Sequence, residues 1–360
     1  AIPVCHADLL EETKLTDGVA FSGDGVSYVL KKQTLGETLT FAFSRGSDLE
    51  TAQEQAKQAL QTDIPAVISH KLKYFDCVPA IEGTTEIRKR TLAKTFSVMK
   101  SQVYTPEDIF RQRWTTPDRL PHRKCWLWDS VFHALGNYYI EPQLAYDSIA
   151  SVFDAQHENG FIPHMFWPGG QWYHTQVPVL AWGLEKLYQR DQNPEKIAPF
   201  FSKLEKYLKW NMENRDLNKN GLFEWYVEPE HPNCRCGECG CDNSPRFDDV
   251  CVMDAIDFSC FMASEYRAMA SLSKALGKQD RESYYAGLYK DICQKINEVL
   301  FDLEDGRYYD REIDTGKLRK ISASTSCLKL NSFSSDASSY SEITLLNRRI
   351  IASLFKSIGI

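Results

Sequence analysis

Apolar and polar positions alternate at Val26–Leu30 and again at Thr38–Ser44, with β-branched and aromatic residues favouring strands in both. The turn signals Asp17-Gly18 and Gly23-Asp24-Gly25 break the pattern, so residues 1–45 read as sheet. Two or three strands cannot close a sandwich alone, and the stretch therefore reads as the tail of a larger β domain. From Asp48 the period becomes helical. Ser47 is placed to cap, and Glu50 three residues later completes a capping-box pattern. Residues 48–61 then form a polar helix with the character of a linker.

Beyond it, apolar residues recur at i, i+3/i+4 and i+7 in 126–139, 178–189, 200–210, 258–276 and 284–300. Leu180, Leu184 and Leu187 trace one such stripe; Phe258, Phe261, Met262, Met269 and Leu272 trace another. Loops rich in Gly, Pro, Trp and His separate the helices at 112–125, 158–176 and 214–250. The alternation predicts a mainly α fold, a helical toroid with its site where the aromatic loops converge. No repeat of 20–50 residues supports a regular solenoid. The tail 321–341 is Ser-rich and weakly patterned.

At 360 residues and 43% hydrophobic, the chain is long enough for a large core and for two domains. Its net charge of −7 and the lack of a basic stripe argue against nucleic acid as a partner. No apolar run is long enough for a membrane span. The start AIPVCHADLL has no signal-peptide character and no initiator Met, which predicts a trimmed or partial chain. Eleven cysteines cannot all pair within one chain, and no N-x-[ST] sequon occurs, so a reducing cytoplasm is the expected compartment.

Candidate chemistry is densest in Arg113–Ser130, where Trp114, Trp126 and Trp128 lie among arginines, His122, Asp118 and Asp129. Indole faces that stack on sugar rings, beside carboxylates and guanidinium groups that hold hydroxyls, are the chemistry of a carbohydrate site. A buried Trp pair with a capping Asp is the plainer alternative. The loop Glu158–Trp167 adds His164 among aromatics, and Trp172–Pro178 brings Gln176 to the start of a helix. In Asp242-Asn-Ser-Pro-Arg246, a carboxylate in an aromatic, partly desolvated loop can have its pKa raised enough to act as a general acid; the same residues also suit a plain turn.

Two further patterns suggest metals. Asp216-Leu-Asn218-Lys-Asn220-Gly221-Leu222 opens like an EF-hand loop, with alternate oxygen ligands and the Leu222 carbonyl available to Ca²⁺; the acid of its last position is replaced by Val227, and an Asx turn is the alternative. Cys234, Cys236, Cys239 and Cys241 place four thiols in eight residues, suited either to Zn²⁺ or to two short disulfides.

The ordered series TTPDRLPHRKCWLWDS, HENGFIPHMFW, HTQVPVLAWGL, NRDLNKNGLFEW and CDNSPRFDD resembles glycoside hydrolase family 63 and its mannosylglycerate-hydrolase and trehalase-like relatives, over about residues 85–310. The resemblance implies an (α/α)6 toroid and an inverting hydrolase of α-linked glucosyl or mannosyl residues in an oligosaccharide or small glycoside. It implies Asp242 as general acid. Asp129 corresponds to the residue that holds the sugar at the −1 subsite, with Trp126, Trp128 and His133 beside it. Trp114, Arg119, His164, Gln176 and Trp225 correspond to pocket walls, and Arg246 belongs to the same substrate-binding set. Some members bind Ca²⁺ in the D-x-N-x-N loop, which implies Asp216, Asn218, Asn220 and Leu222 as ligands, with Glu265 to complete the site.

On this basis residues 1–46 are the end of an N-terminal β-sandwich, 47–84 a helical linker and 85–360 a partial catalytic domain with eight or nine of the toroid's twelve helices. The general-base Glu, expected downstream, is not identifiable, so the chain looks truncated at both ends. The cysteine-rich insertion is absent from the commonest members of the family. A non-catalytic carbohydrate-binding remnant is the alternative function. A Zn-dependent hydrolase ranks last, since no H-E-x-x-H pattern occurs.

Overall fold

The computed structural model describes residues 10–23, 25–118, 122–231, 234–249, 252–321 and 323. The chain divides into two compact units, Ala1–Ala80 and Ile81–Ile360. Among the described residues the fold is mainly α with small sheets, and no helix is long and apolar enough to cross a membrane.

In the first unit, β1 (Glu11–Leu15), β2 (Gly18–Gly23), β3 (Val26–Leu35) and β4 (Thr38–Gly46) form an antiparallel meander in chain order. The predicted strands are present and longer than expected. One face of the sheet buries Ala20, Val29 and Ala42 against Ala52 and Ala56 of helix α1 (Leu49–Leu60). Small residues on both surfaces let the helix lie close. The opposite face leaves Phe41 and Phe43 exposed. The helix predicted as a linker thus packs on the sheet. It is capped by Asp48 and not by Ser47: the Asp48 carboxylate accepts the Thr51 N–H at 2.8 Å, while the Ser47 hydroxyl donates to Asp48. A charged carboxylate is the stronger acceptor for that N–H. Helix α2 (Ile64–Leu72) follows, capped by Asp63, with no buried residue.

The second unit contains α3 (Glu86–Ser101), α4 (Leu127–Asn137), α5 (Pro142–Asp154), α6 (Leu180–Asp191), α7 (Pro194–Asn214), α8 (Ile256–Ala275) and α9 (Gln279–Val299). Seven helices among the described residues is fewer than the eight or nine expected. All five predicted helices are present; α3 and α5 were not predicted. The apolar stripes meet in one core, where Leu127 and Val131 of α4 pack with Leu180 and Leu184 of α6, and Phe258 and Met262 of α8. Each such side chain contributes roughly 1.5–3 kcal/mol through burial. Helices α4 and α6 approach so closely at Gly183 that a Cβ there would fall 2.3 Å from Val131 Cγ1.

Short strands hold the loops on this helical base. β5 (Val103–Tyr104) pairs β6 (Trp114–Thr115). β7 (Cys125–Trp126), β8 (Met165–Trp167) and β9 (Gly170–Gln171) form a three-stranded sheet. Farther along, β10 (Met253–Asp254) joins β13 (Asp310–Glu312) and β14 (Leu318–Arg319), and β11 (Phe301–Asp302) pairs β12 (Arg307–Tyr308).

Candidate active site

Three loops expected to converge are joined by main-chain and side-chain hydrogen bonds. Leu127 N–H donates to the His164 carbonyl at 3.0 Å, and His164 N–H to the His174 carbonyl at 2.8 Å. The Gln176 carboxamide oxygen accepts the Trp128 N–H at 3.0 Å, which fixes the start of α4. The loop 234–242 joins them through Gly240: at φ +72° it lies so near the Trp128 ring that an added Cβ would fall 2.6 Å from Cη2. Only glycine meets both demands. The loop bearing Asp242 and the helix start bearing Asp129 are therefore in direct contact.

Asp129 is half-buried in the first turn of α4, and desolvation pushes its carboxyl up to about 6. Its own N–H and the Trp128 indole oppose that rise by favouring the charged form. Asp242 is exposed, so the partial desolvation expected around it is not present in the described loop. His133 contacts the Thr115 hydroxyl through Nδ1 at 2.9 Å, and burial pushes its imidazole down to about 4, so it stays neutral. His164, its ring beside that of Trp126, is pushed down to about 3 by burial and by the His174 and Lys124 charges. The half-buried Asp129 thus has the Trp128 indole against it and the neutral His133 imidazole one turn along α4. Such a surface suits uncharged hydroxylated rings.

Several expected pocket residues lie elsewhere. Trp114 is wholly buried between Phe110, centroid to centroid 4.3 Å, and Tyr104, 4.8 Å. With both faces covered it is core, not wall. Trp225 stacks on Phe258 at 4.0 Å and donates its indole N–H to Asp257, so its ring is likewise unavailable. Arg246, expected to bind substrate, is committed to the interior: its guanidinium is 2% exposed and lies between Asp257 and Asp310, with four contacts of 2.7–2.9 Å. Arg119 lies outside the described residues.

Glu265 is a second correction. Its buried carboxylate accepts from Ala181 N–H at 2.9 Å and Trp182 N–H at 2.8 Å, which commits it to the N-terminus of α6 and not to the D-x-N-x-N loop. That loop is satisfied internally in part, one buried oxygen each of Asp216 and Glu224 having no hydrogen-bond partner. Asp216 accepts Gly221 N–H, Asn218 accepts Asn220 N–H, and Asn220 accepts Leu222 N–H. The amides of Asn218 and Asn220 both donate to Asp254. Lys295 places its ammonium on the Asn220 carbonyl. An ammonium among the proposed ligands leaves the set, Leu222 included, a poor match for Ca²⁺.

The four cysteines divide three to one. Cys239 contacts both Cys236 and Cys241, and burial pushes the thiols of Cys236 and Cys239 up, so both are protonated. Cys234 stands apart, its sulfur close under Gly237 and its N–H donating to His231 Nδ1 at 2.9 Å. All four are free, and no group of three or more His, Cys, Asp or Glu among the described residues is arranged to hold a metal ion. The tetrahedral Zn²⁺ arrangement is therefore not met.

Glu238 was missed by the sequence reading. It is wholly buried within the cysteine loop, where it accepts Thr175 N–H at 3.1 Å, Tyr226 N–H at 3.0 Å and the Arg215 guanidinium at 3.0 Å. Nothing in GECG marks an interior acid; only its distant partner Arg215 does. Asp257 and Asp310, which hold Arg246, carried no signal either.

Among known proteins, the mannosylglycerate hydrolase of Thermus thermophilus is 31% identical over 148 residues, covering 34% of this chain and 34% of the relative. The glucosylglycerate hydrolase of Mycolicibacterium hassiacum is 26% identical over 170 residues, covering 38% and 36%. The chain spans between 26% and 36% of the length of the curated relatives it matches. The crystal structure of the GH63 mannosylglycerate hydrolase from Thermus thermophilus in complex with glucose superposes with a TM-score of 0.54 at 21% identity, over 65% of this chain and 69% of the other, a likeness of fold. Residues 122–343, which run from before Asp129 to beyond Asp242 and carry both loops that meet at Gly240, match the mannosylglycerate hydrolase MGH1-like glycoside hydrolase domain, and the chain belongs to that family.

Proposed function

We propose that this chain carries the sugar-binding and acid-donating part of an inverting glycoside hydrolase acting on a small α-linked glucoside or mannoside, such as a glycosylglycerate. The observation that carries the reading is the contact of Gly240 with Trp128, which brings two carboxylate-bearing segments of the family domain together. In this reading α3–α9 belong to an (α/α)6 toroid, and the four-stranded sheet is the end of a larger β-sandwich.

Asp129, with its neutral indole and imidazole neighbours, accepts hydroxyls of the sugar bound at the scissile bond. Asp242, exposed at the loop tip, protonates the departing oxygen. A second carboxylate activates water on the opposite face of the ring, about 6.5–9.5 Å away from the acid. That base is expected downstream of the described residues.

The test is product release from mannosylglycerate, glucosylglycerate, trehalose and simple α-glycosides, with the anomer followed by NMR. Asp242→Asn should lower turnover by about 10²–10⁴-fold while sugar affinity is kept. Equal turnover in the variant would remove Asp242 from the mechanism, and retained anomeric configuration would exclude inversion. Sugar binding without hydrolysis by the wild-type protein would point to the carbohydrate-binding remnant.

A further inference from the structure

The sheet of β7, β8 and β9 carries a cation that the reading above leaves unused. Cys125 and Phe166 pair across β7 and β8 and are wholly buried, so strand alternation turns Lys124, Trp126 and Trp167 to the opposite side. There Lys124 Nζ sits 4.7 Å from the centroid of the Trp167 ring. Glu107 is taken by Arg123 and Asp108 by the Gly169 N–H at 2.5 Å, and among the described residues no carboxylate pairs with Lys124. Two polar atoms on the same side also lack partners. Trp126 Nε1 and His164 Nδ1 are buried without a hydrogen bond, in rings 5.3 Å apart. Trp172, brought alongside by its N–H on the Met165 carbonyl, lies edge-on to the His164 ring at 6.3 Å. The bond from Leu127 N–H to the His164 carbonyl joins this face to the start of α4, and so to Asp129.

We infer that Lys124 determines specificity: its ammonium takes the carboxylate of a hydroxy-acid aglycone, whose hydroxyl oxygens meet Trp126 Nε1 and His164 Nδ1. The inference rests on the glycosidase reading above and narrows it to anionic glycosides. A cation seated on an indole face is partly shielded from water and keeps its outer side for an anion. An indole N–H only donates, whereas a nitrogen of a neutral imidazole donates or accepts, so the two unpartnered atoms suit hydroxyl groups. A charge-assisted bond from the ammonium is stronger than any of these neutral contacts, and it sets the preference for an acid over the corresponding alcohol.

Two measurements test it. The first compares kcat/KM for a glycosylglycerate with that for the matching glycosylglycerol, in which a CH2OH group replaces the carboxylate. The wild type should prefer the acid. Lys124→Met keeps the apolar stem on Trp167 and removes the charge, and it should reduce that preference by about 10–100-fold. An unchanged preference overturns the inference, and so does an equal fall for both substrates, which would mark Lys124 as structural only. The second needs no hydrolysis. D-glycerate and glycerol are titrated into the wild type and Lys124→Met by calorimetry. D-glycerate should bind the wild type more tightly than glycerol does, and the variant should lose that advantage. A wild type that binds D-glycerate no better than glycerol overturns the anion site. Absence of hydrolysis by the wild type would refute the proposed function, and the titration would still decide whether Lys124 holds a carboxylate.

Discussion

Glu265 on α8 accepts the backbone N–H of Trp182 on α6 at 2.8 Å, across 83 positions of sequence. Helix α6 has no side-chain cap of its own at Val179, so its first-turn donors are satisfied by a neighbouring helix. Removing this carboxylate leaves buried N–H groups without partners. Glu265→Ala should therefore cost about 2–4 kcal/mol, measured by urea unfolding.

The same residue gives a pH dependence with a definite sign. Burial pushes the Glu265 carboxyl up to about 7, well above its unfolded value. Its favourable contribution is thus complete below about pH 4.5 and is lost as pH rises through about 7. Asp129, raised to about 6, and Glu224, raised to about 7 by burial and by Asp254 and Asp216, act in the same direction. Tm should fall between pH 5 and pH 8, and less steeply in Glu265→Gln. Parallel slopes would show that Glu265 is already ionised at pH 5.

Asp129 should also impose a pH limb on sugar affinity. If its carboxylate accepts hydroxyls, Kd should rise as pH falls through about 6, and Asp129→Asn should bind weakly at every pH. Titration calorimetry at several pH values would decide this; a wild-type affinity flat from pH 5 to pH 8 would count against the role.

Arg246 is a matter of stability. Substituting it with Ala leaves Asp257 and Asp310 facing each other in the interior, at an expected cost of about 3–5 kcal/mol. A variant that melts normally yet has lost sugar affinity would return Arg246 to the substrate.

In the D-x-N-x-N loop, EDTA should leave Tm unchanged, because Lys295 already places a positive charge there. Lys295→Ala should lower Tm. A fall in Tm with EDTA in the wild type would mean that a cation displaces the ammonium.

The helices were legible where large apolar residues repeat, as in α6 and α8. Helix α5 was not, because Ser148 and Ser151 interrupt the buried face that Leu144, Ile149, Val152 and Phe153 otherwise make apolar. Helix α2 has no buried face to betray it. At the site, the sequence showed which residue types collect but not what covers them. Trp114 and Trp126 read alike in the chain, yet Tyr104 and Phe110 close both faces of the first. Arg246 next to a catalytic motif reads as a ligand-binding arginine, and only the fold brings Asp310 to it, 64 positions away.

Glu238 makes the cysteine loop a supporting member of the domain. Its carboxylate holds Arg215 and the N–H groups of Thr175 and Tyr226, so excision of the loop would strand a guanidinium and two amides inside the protein. Any attempt to shorten it would have to begin by rebuilding the ground beneath the site.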